Sequence, residues 1–165
     1  MTYTLEKTLW TDADFDVMGW HDATLHALAI QADDYRLLLD LDYIFKWVPP
    51  VPPEECFSFY VAPVTLVFEG AQALSFNFGC RYIETFQFQG LHRSDPRPTA
   101  VDSLTDWAWR LELNEGENSL RAYGINQWVR RTPALSPTTS LSLEDRGGIS
   151  FGLPDALLPA HHRSA

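Results

Sequence analysis

Several features that define common protein classes are scarce or missing in this 165-residue chain. There are two cysteines, Cys56 and Cys80, and neither stands in a Cys-x-x-Cys or Cys–His spacing. A thiolate metal site is therefore not expected. No apolar run approaches the roughly 18 residues of a membrane span, and residues 1–20 lack the apolar segment of a secretory signal. We therefore expect a cytoplasmic protein whose thiols stay reduced and inert.

Positive charge is also scarce. The chain has 12 Lys and Arg against 22 Asp and Glu, a net charge of −10. This balance argues against nucleic acid and against an anionic membrane as partners, since both require a basic face. Between Thr11 and Glu55 there are ten acidic and two basic residues, whereas from Arg81 onward there are ten acidic residues and nine arginines. The acidic first half either keeps the protein soluble or attracts a basic partner or a cation.

The motifs of common catalytic sites are missing as well. The chain contains no G-x-S-x-G sequence, which argues against the nucleophile elbow of a hydrolase. Gly147 and Gly148 form an isolated pair without the Gly-Lys-Ser/Thr ending of a phosphate-binding loop. No internal repeat at a fixed period is present, so a solenoid or propeller is not expected.

The pattern that is present favours β-strands. Aromatic residues make up 13% of the chain, and they are enriched in strands. Residues alternate between apolar and polar from Tyr35 to Phe45 and again from Asp106 to Leu113, while Phe57 to Phe68 is apolar nearly throughout. Pro63 inside that run indicates a bulge or an edge position. Almost no helical periodicity is found, so we predict an all-β, largely antiparallel sandwich or open barrel with little helix.

Residues 1–150 are predicted to form a single β-rich domain, and residues 151–165 a C-terminal tail. Prolines at 49, 50, 52 and 53 are read as a stiff crossover between strands, the alternative being a recognition peptide for another protein. After residue 131 the chain turns polar and rich in Pro and Ser. There we expect one short strand over Ser140 to Leu143 and a helical turn over Leu153 to Ala160.

The clearest local signal is a β-hairpin near the N-terminus. Its strands are predicted over Asp22 to Ile30 and Tyr35 to Phe45, joined by the three-residue loop Ala32–Asp34. This loop length places His26 opposite Asp40. A loop of even length would instead put the polar residues of the two strands on opposite faces. The predicted register gathers one polar face, made of Asp22, Thr24, His26, Asp40 and Asp42, with Leu25, Ala27 and Ala29 on the apolar face.

Three roles are open for this polar face. An Asp–His pair orients an imidazole as a general base requires. His26, Asp40 and Asp42 together offer ligands for a divalent metal such as Zn, Fe or Mn, with His21 or Asp22 as the proton-transfer group. The third role is structural, a half-buried His–Asp hydrogen bond that sets the register of the hairpin.

The six tryptophans raise a separate question. Aromatic side chains dominate binding hot spots, but most tryptophans of a small β domain belong to its core. Either they are packed inside, or at least two of them line a groove for a ligand or partner. The binding candidates from the sequence are Trp20, His21, Asp22, His26, Asp40 and Asp42.

Three stretches carry a resemblance to known sequences. They are Met18 to His26 (M-G-W-H-D-A-T-L-H), Leu39 to Ile44 (L-D-L-D-Y-I) followed by Trp47, and the weaker Val61 to Phe68 (V-A-P-V-T-L-V-F). On these residues, which cover roughly the first half, the chain resembles a group of small uncharacterised bacterial proteins with a domain of unknown function. The resemblance implies a β-rich bacterial domain without an established activity, so it assigns no catalytic residue.

These observations lead to two expectations from different functional classes. The first is a non-catalytic module that binds a protein partner or a small ligand without a cofactor, such as an inhibitor or immunity-type protein that masks a basic surface. The second is a metal-dependent enzyme that uses the His/Asp cluster of the hairpin. The fold alone does not distinguish them.

Overall fold

β-Strands dominate the computed structural model, which describes residues 2–159. The prediction of an all-β chain with little helix is confirmed. The single α-helix in this part of the chain is α1 (Leu143–Arg146), and none of its helices is long and apolar enough to cross a membrane. The strands are β1 (Leu9–Thr11), β2 (Thr24–Gln31), β3 (Arg36–Val48), β4 (Ser58–Glu69), β5 (Gln72–Asn77), β6 (Phe86–Pro98), β7 (Thr105–Leu113), β8 (Glu117–Ala122), β9 (Gly124–Val129) and β10 (Ala134–Ser136).

The strands form one antiparallel sheet in the order β1-β9-β4-β3-β2-β6-β7-β8-β5, and β10 pairs with the start of β4. This sheet is curved. Phe68 of β4 and Trp109 of β7 are four strand steps apart in this order, which would be about 19 Å in a flat sheet. Their ring centroids are nevertheless 5.5 Å apart, so the sheet folds back on itself and encloses the core.

Alternation along β3 separates the two faces of the sheet. Leu37, Leu39, Leu41 and Tyr43 belong to the main core inside the curved sheet. The residues between them point outward, yet Leu38, Asp40 and Asp42 are also buried. Both faces are buried because the chain after β9 returns across the outside of β3 and β4. This double cover explains why β3 and β4 have such long apolar runs.

The hairpin of β2 and β3 forms, but its predicted register is wrong from Gln31 to Ala27 and correct only at Thr24 and Leu25. Gln31 pairs with Arg36, so the loop has four residues and not three. Its last residue, Tyr35, has a φ of 53°. Consequently Ala27 and not His26 lies opposite Asp40. An even loop length changes which residues of β2 share a face with those of β3, so Leu28 rather than Ala27 faces the core with Leu39.

A β-bulge at His26 compensates for the even loop length by shifting the pairing of β2 and β3 by one residue. The pairing shifts by one residue between Leu25 and Ala27, and beyond the shift Thr24 pairs with Asp42 and Leu25 with Leu41. A bulge inserts one residue without a direct partner and bends the strand. His26 therefore reaches the same outward face as Asp42, although the predicted pairing with Asp40 is absent.

The chain after residue 131 is more ordered against the sheet than its composition indicated. The predicted strand over Ser140 to Leu143 is wrong, because Ser142 instead caps α1 by accepting a hydrogen bond from the Asp145 N–H (3.1 Å). The predicted helical turn is present as a short 3-10 turn over Asp155–Leu157. The last residues of the predicted tail, 160–165, lie outside the described residues.

The prolines lie in a connection and at a local edge of the sheet. Residues 49–57 link β3 to its antiparallel neighbour β4, so this segment is a long hairpin loop and not the predicted crossover. Pro63 pairs with Asp42 on the β3 side of β4. On the other side it lies between the end of β9, opposite Val64, and the start of β10, opposite Val61. Its missing N–H is therefore tolerated at this local edge.

Candidate functional site

The first candidate region is the outward face of β3, where Asp40 and Asp42 are fully buried. Arg146, from the last turn of α1, lies between them. Its Nη1 and Nη2 donate to the two oxygens of Asp40 (2.8 and 2.6 Å), and its Nε donates to Asp42 (2.9 Å). The remaining N–H groups donate to the carbonyls of Gly148 (2.6 Å) and Leu41 (3.4 Å). All five guanidinium donors thus have partners.

A second arginine completes the environment of Asp40. Arg130 donates to Asp40 (2.6 Å) and to the Thr65 hydroxyl (2.9 Å), which in turn donates to the carbonyl of Gly152 (2.8 Å). The Ser150 N–H also donates to Asp40 (3.0 Å). Burial alone would raise the pKa of Asp40, but the hydrogen bonds from Arg146 and Arg130 outweigh burial and lower it.

His26 belongs to the same network through Asp42. Its Nε2 lies 2.9 Å from Asp42 Oδ2 and donates to it, because an ionised carboxylate only accepts. The Leu141 N–H donates to the same oxygen (2.8 Å). Burial would raise the pKa of Asp42, and the hydrogen bonds from His26, Leu141 and Arg146 together lower it. The geometry is that of the structural reading, a half-buried His–Asp pair at the bulge.

These contacts engage both carboxylates of the predicted metal site. The oxygens of Asp40 and Asp42 accept from two arginines, two backbone N–H groups and one histidine. Within residues 2–159 no group of three or more His, Cys, Asp or Glu side chains is arranged to hold a metal ion. Of the predicted set, Asp40 and Asp42 are thus bound to arginine in this structure, and His26 is bound to Asp42. The sequence reasoning missed Arg146 because it lies 106 residues from Asp40.

The other three predicted residues precede β2 and have different environments. Trp20 is 3% exposed and donates its indole N–H to Gln127 (3.0 Å), so it is part of the core. The side chain of His21 is 62% exposed, with its Nδ1 3.2 Å from Asp22 Oδ2. Asp22 is held by its backbone, whose N–H donates to the carbonyl of Phe88 (2.8 Å). Of the three, His21 lines an open cleft together with Trp10 and Trp47.

That cleft, which we call the aromatic cleft, has a volume of about 320 Å³. It lies between the N-terminal segment, the loop around Gly19 and the end of β3. Two of the six tryptophans line it, Trp10 and Trp47, and Trp47 is 45% exposed. The structure therefore contains the groove that was one of the two alternatives for the tryptophans. The lining residues are Tyr3, Glu6, Trp10, Val17, Gly19, His21, Tyr43, Ile44, Phe45 and Trp47.

Several rings of the aromatic cleft meet at steep angles. Tyr43 and Phe45 are edge to face, with centroids 4.9 Å apart and planes at 68°. Tyr3 lies 6.0 Å from Phe45 at 53°. Trp47 packs edge to face on Phe59 at 4.9 Å, which fixes its indole at the rim. These contacts are favourable aromatic geometries, so the shape of the cleft is set by ring packing.

Polar donors at the aromatic cleft are largely used within the protein. The Gly19 N–H donates to the Tyr43 hydroxyl (2.9 Å). The Trp10 indole N–H donates to the carbonyl of Lys7 (3.1 Å). The cleft consequently offers aromatic faces and the carboxylate of Glu6 more readily than N–H groups.

A second, shallower cleft lies on the other side of the Gly19 loop, with a volume of about 360 Å³. Gly19 and His21 line both clefts. His92 lines the second cleft, and its Nε2 lies 2.7 Å from Glu112 Oε2. Both side chains are nearly half exposed, so this contact is an exposed cross-strand pair of modest strength.

The acidic excess of the first half is smaller at the surface than the residue count indicates. Four of the ten acids between Thr11 and Glu55 form ion pairs, namely Asp12 with Arg93, Asp14 with Lys7, and Asp40 and Asp42 with Arg146. Two of these acids are fully buried. The acidic surface that suggested a basic partner is reduced accordingly.

Comparison with known proteins identifies no relative. No family model matches the chain, and neither a curated protein nor a solved structure matches it. The proposals that follow depend on the geometry of the described residues.

Proposed function

We propose that this protein is a non-catalytic binding module that holds a small ligand in the aromatic cleft. The observation that carries the proposal is a cleft of about 320 Å³ lined by aromatic rings, with Trp47 exposed at its rim. Small-molecule sites are concave, mostly apolar, and fall in a range of roughly 300–1,000 Å³. The cleft matches that description, and its rings are held in place by contacts with one another.

The chemistry of the lining supports binding more than catalysis. Among the ten described residues that line the cleft there is no Cys, Ser or Lys that would act as a nucleophile. Of its side chains suited to acid–base work, which are Glu6, His21 and two tyrosines, His21 is mostly exposed and Tyr43 accepts a hydrogen bond from the Gly19 N–H. General-base catalysis depends on a histidine held in a fixed orientation toward its substrate.

The two other expectations have less support. A metal-dependent enzyme would need Asp40 and Asp42 as ligands, but both carboxylates are bound to Arg146. An immunity-type protein that masks a basic surface would need a large exposed acidic face, and part of that charge is neutralised by internal ion pairs. A small ligand requires neither condition.

The first prediction tests whether the cleft binds anything at all. We expect ligand-observed NMR with a mixture of small cations, sugars and neutral amphiphiles to detect at least one bound compound. Replacing Trp47 by Ala removes the exposed ring at the rim. We expect the affinity of the protein for the bound compound to fall about tenfold or more, which is the effect of losing an aromatic hot-spot residue.

A matched control separates the cleft from general surface effects. Tyr82→Ala removes another exposed ring, 72% accessible, from the loop between β5 and β6 and away from the cleft. It is expected to leave binding unchanged. The proposal fails if no compound in the mixture binds, or if Trp47→Ala and Tyr82→Ala affect binding equally.

A further inference from the structure

The aromatic cleft combines ring faces with one negative charge. Glu6 is the only acid among the ten described lining residues, and none of them is Lys or Arg. The neighbouring cation in the sequence, Lys7, pairs with Asp14 (2.5 Å) rather than with Glu6. Burial and the nearby Glu6 carboxylate both raise the pKa of Tyr3. Glu6 is thus the carboxylate that the described lining of the cleft offers to a positively charged ligand.

The ring geometry suits a cation. A ring attracts a positive charge placed over its face, and quaternary ammonium ligands are bound by several aromatic rings together. Tyr43 and Phe45 meet at 68°, and Tyr3 and Phe45 at 53°. These rings pack against one another, and the cleft is lined by the parts of them that this packing leaves uncovered.

Trp10 already makes a contact of this type. The Lys7 ammonium lies 4.7 Å from the centroid of its ring. Because that ammonium is also paired with Asp14, its charge is compensated within the protein. Tyr43 is buried, so the rings left for a ligand are those of Tyr3, Phe45 and Trp47.

An anionic ligand is disfavoured by the same contacts. Two N–H groups at the cleft, those of Gly19 and Trp10, already donate to protein oxygens. An anion would in addition be repelled by the Glu6 carboxylate. A ligand without charge would gain the ring contacts but nothing from Glu6.

We propose, on the basis of the binding function above, that the ligand of the aromatic cleft is a small quaternary ammonium compound. Its alkylated head lies against the rings of Tyr3, Phe45 and Trp47 that line the cleft, and Glu6 balances its charge. An alkylated ammonium fits better than a primary one because it lacks N–H donors that need acceptors and presents methyl groups to the rings.

The test compares choline with a neutral molecule of the same shape, 3,3-dimethylbutan-1-ol, by calorimetric or NMR titration of the intact protein. We expect choline to bind about tenfold more tightly or better. Glu6→Gln is expected to weaken the binding of choline several-fold without changing the affinity for the neutral compound. Glu115→Gln, the same charge change in the turn between β7 and β8, is expected to change neither.

A third probe, N-acetyl-lysine methyl ester, distinguishes a quaternary from a primary ammonium. The inference is overturned if this ester binds more tightly than choline, if the neutral compound binds as well as choline, or if choline shows no binding at millimolar concentration. In each of these cases the proposed binding function still holds if at least one compound binds the protein and its binding is weakened by Trp47→Ala. If that substitution weakens the binding of no compound, the proposed binding function fails as well.

Discussion

Arg146 is the residue that closes the outer face of the sheet. It is buried between Asp40 and Asp42 and bonds to both. Taking such charges out of water is costly, and only complete pairing offsets the cost. Here the pairing is complete on the arginine side, since each of its donors has an acceptor. Removing the arginine alone would leave two buried carboxylates with only Arg130 as a cation.

The prediction at this scale is that Arg146→Met lowers the free energy of unfolding by about 3–5 kcal/mol, the cost of breaking a buried ion pair from one side. Urea denaturation followed by tryptophan fluorescence measures the change. Arg131→Met is the matched control, because this exposed arginine donates only to the Asp145 carbonyl (2.8 Å). It should cost less than about 1 kcal/mol. Equal costs for the two variants would contradict the role given to Arg146.

β2 is the element in which a local irregularity decides the chemistry of a face. Its four-residue loop alone would place the polar side chains of β2 and β3 on different faces. The bulge at His26 moves the register back and restores Thr24 opposite Asp42. An inserted residue has no direct partner on the opposite strand. The pairing on both sides of His26 therefore does not depend on its presence.

This argument predicts that deleting His26 costs little more than replacing it by Ala. Both changes remove the hydrogen bond to Asp42 (2.9 Å), and we expect each to lower the free energy of unfolding by about 1–3 kcal/mol. Chemical denaturation of the two variants side by side gives the comparison. If the deletion unfolds the protein while His26→Ala does not, the ladder depends on His26 and the bulge interpretation is wrong.

The molecule as a whole is held together by contacts between distant parts of the chain. The segment after β9 returns over β3 and β4, and its charges meet the acids of the hairpin there. Both acids have a lowered pKa, in each case because hydrogen bonds outweigh burial. A carboxyl whose pKa is lower in the folded state stabilises the fold above its unfolded pKa. That contribution is lost as the pH falls through the pKa that the carboxyl has in the folded state.

We therefore expect the stability of the whole protein to decline once the pH drops below the ordinary Asp pKa of 3.8. Asp40→Asn is expected to be strongly destabilising at neutral pH. Its cost should shrink as the pH falls through the lowered pKa of Asp40, where this carboxylate of the unmodified protein itself becomes protonated. Denaturant titrations over a pH series measure this convergence. Asp95→Asn, a half-exposed control, should cost little at any pH, and a pH-independent cost of Asp40→Asn would contradict the prediction.

The candidate sites differ in how far the sequence predicts them. The alternation of Leu37, Leu39 and Leu41 identifies β3 and its two faces, because side-chain direction in a strand follows from period two. It also identifies Asp40 and Asp42 as a pair on one face. It does not identify what they bind, since their partner Arg146 ends α1, which comes after a long connection whose path depends on tertiary packing.

The aromatic cleft shows the same limit. Trp47 lies at the end of an alternating strand, and His21 directly follows Trp20, so each stands out in the sequence. Tyr3 and Glu6 carry no local signal that would connect them with β3. They reach the cleft because the N-terminal segment lies across the end of the curved sheet.

The sequence by itself determined the all-β class, the antiparallel order of local hairpins and the outward position of Asp40 and Asp42, because these follow from short-range periodicity and turn chemistry. Only the tertiary structure decided the loop length and the bulge at His26, the burial of Arg146 and the closure of the aromatic cleft. These features depend on the free energy of packing residues that are far apart in the chain, and no local pattern contains that information.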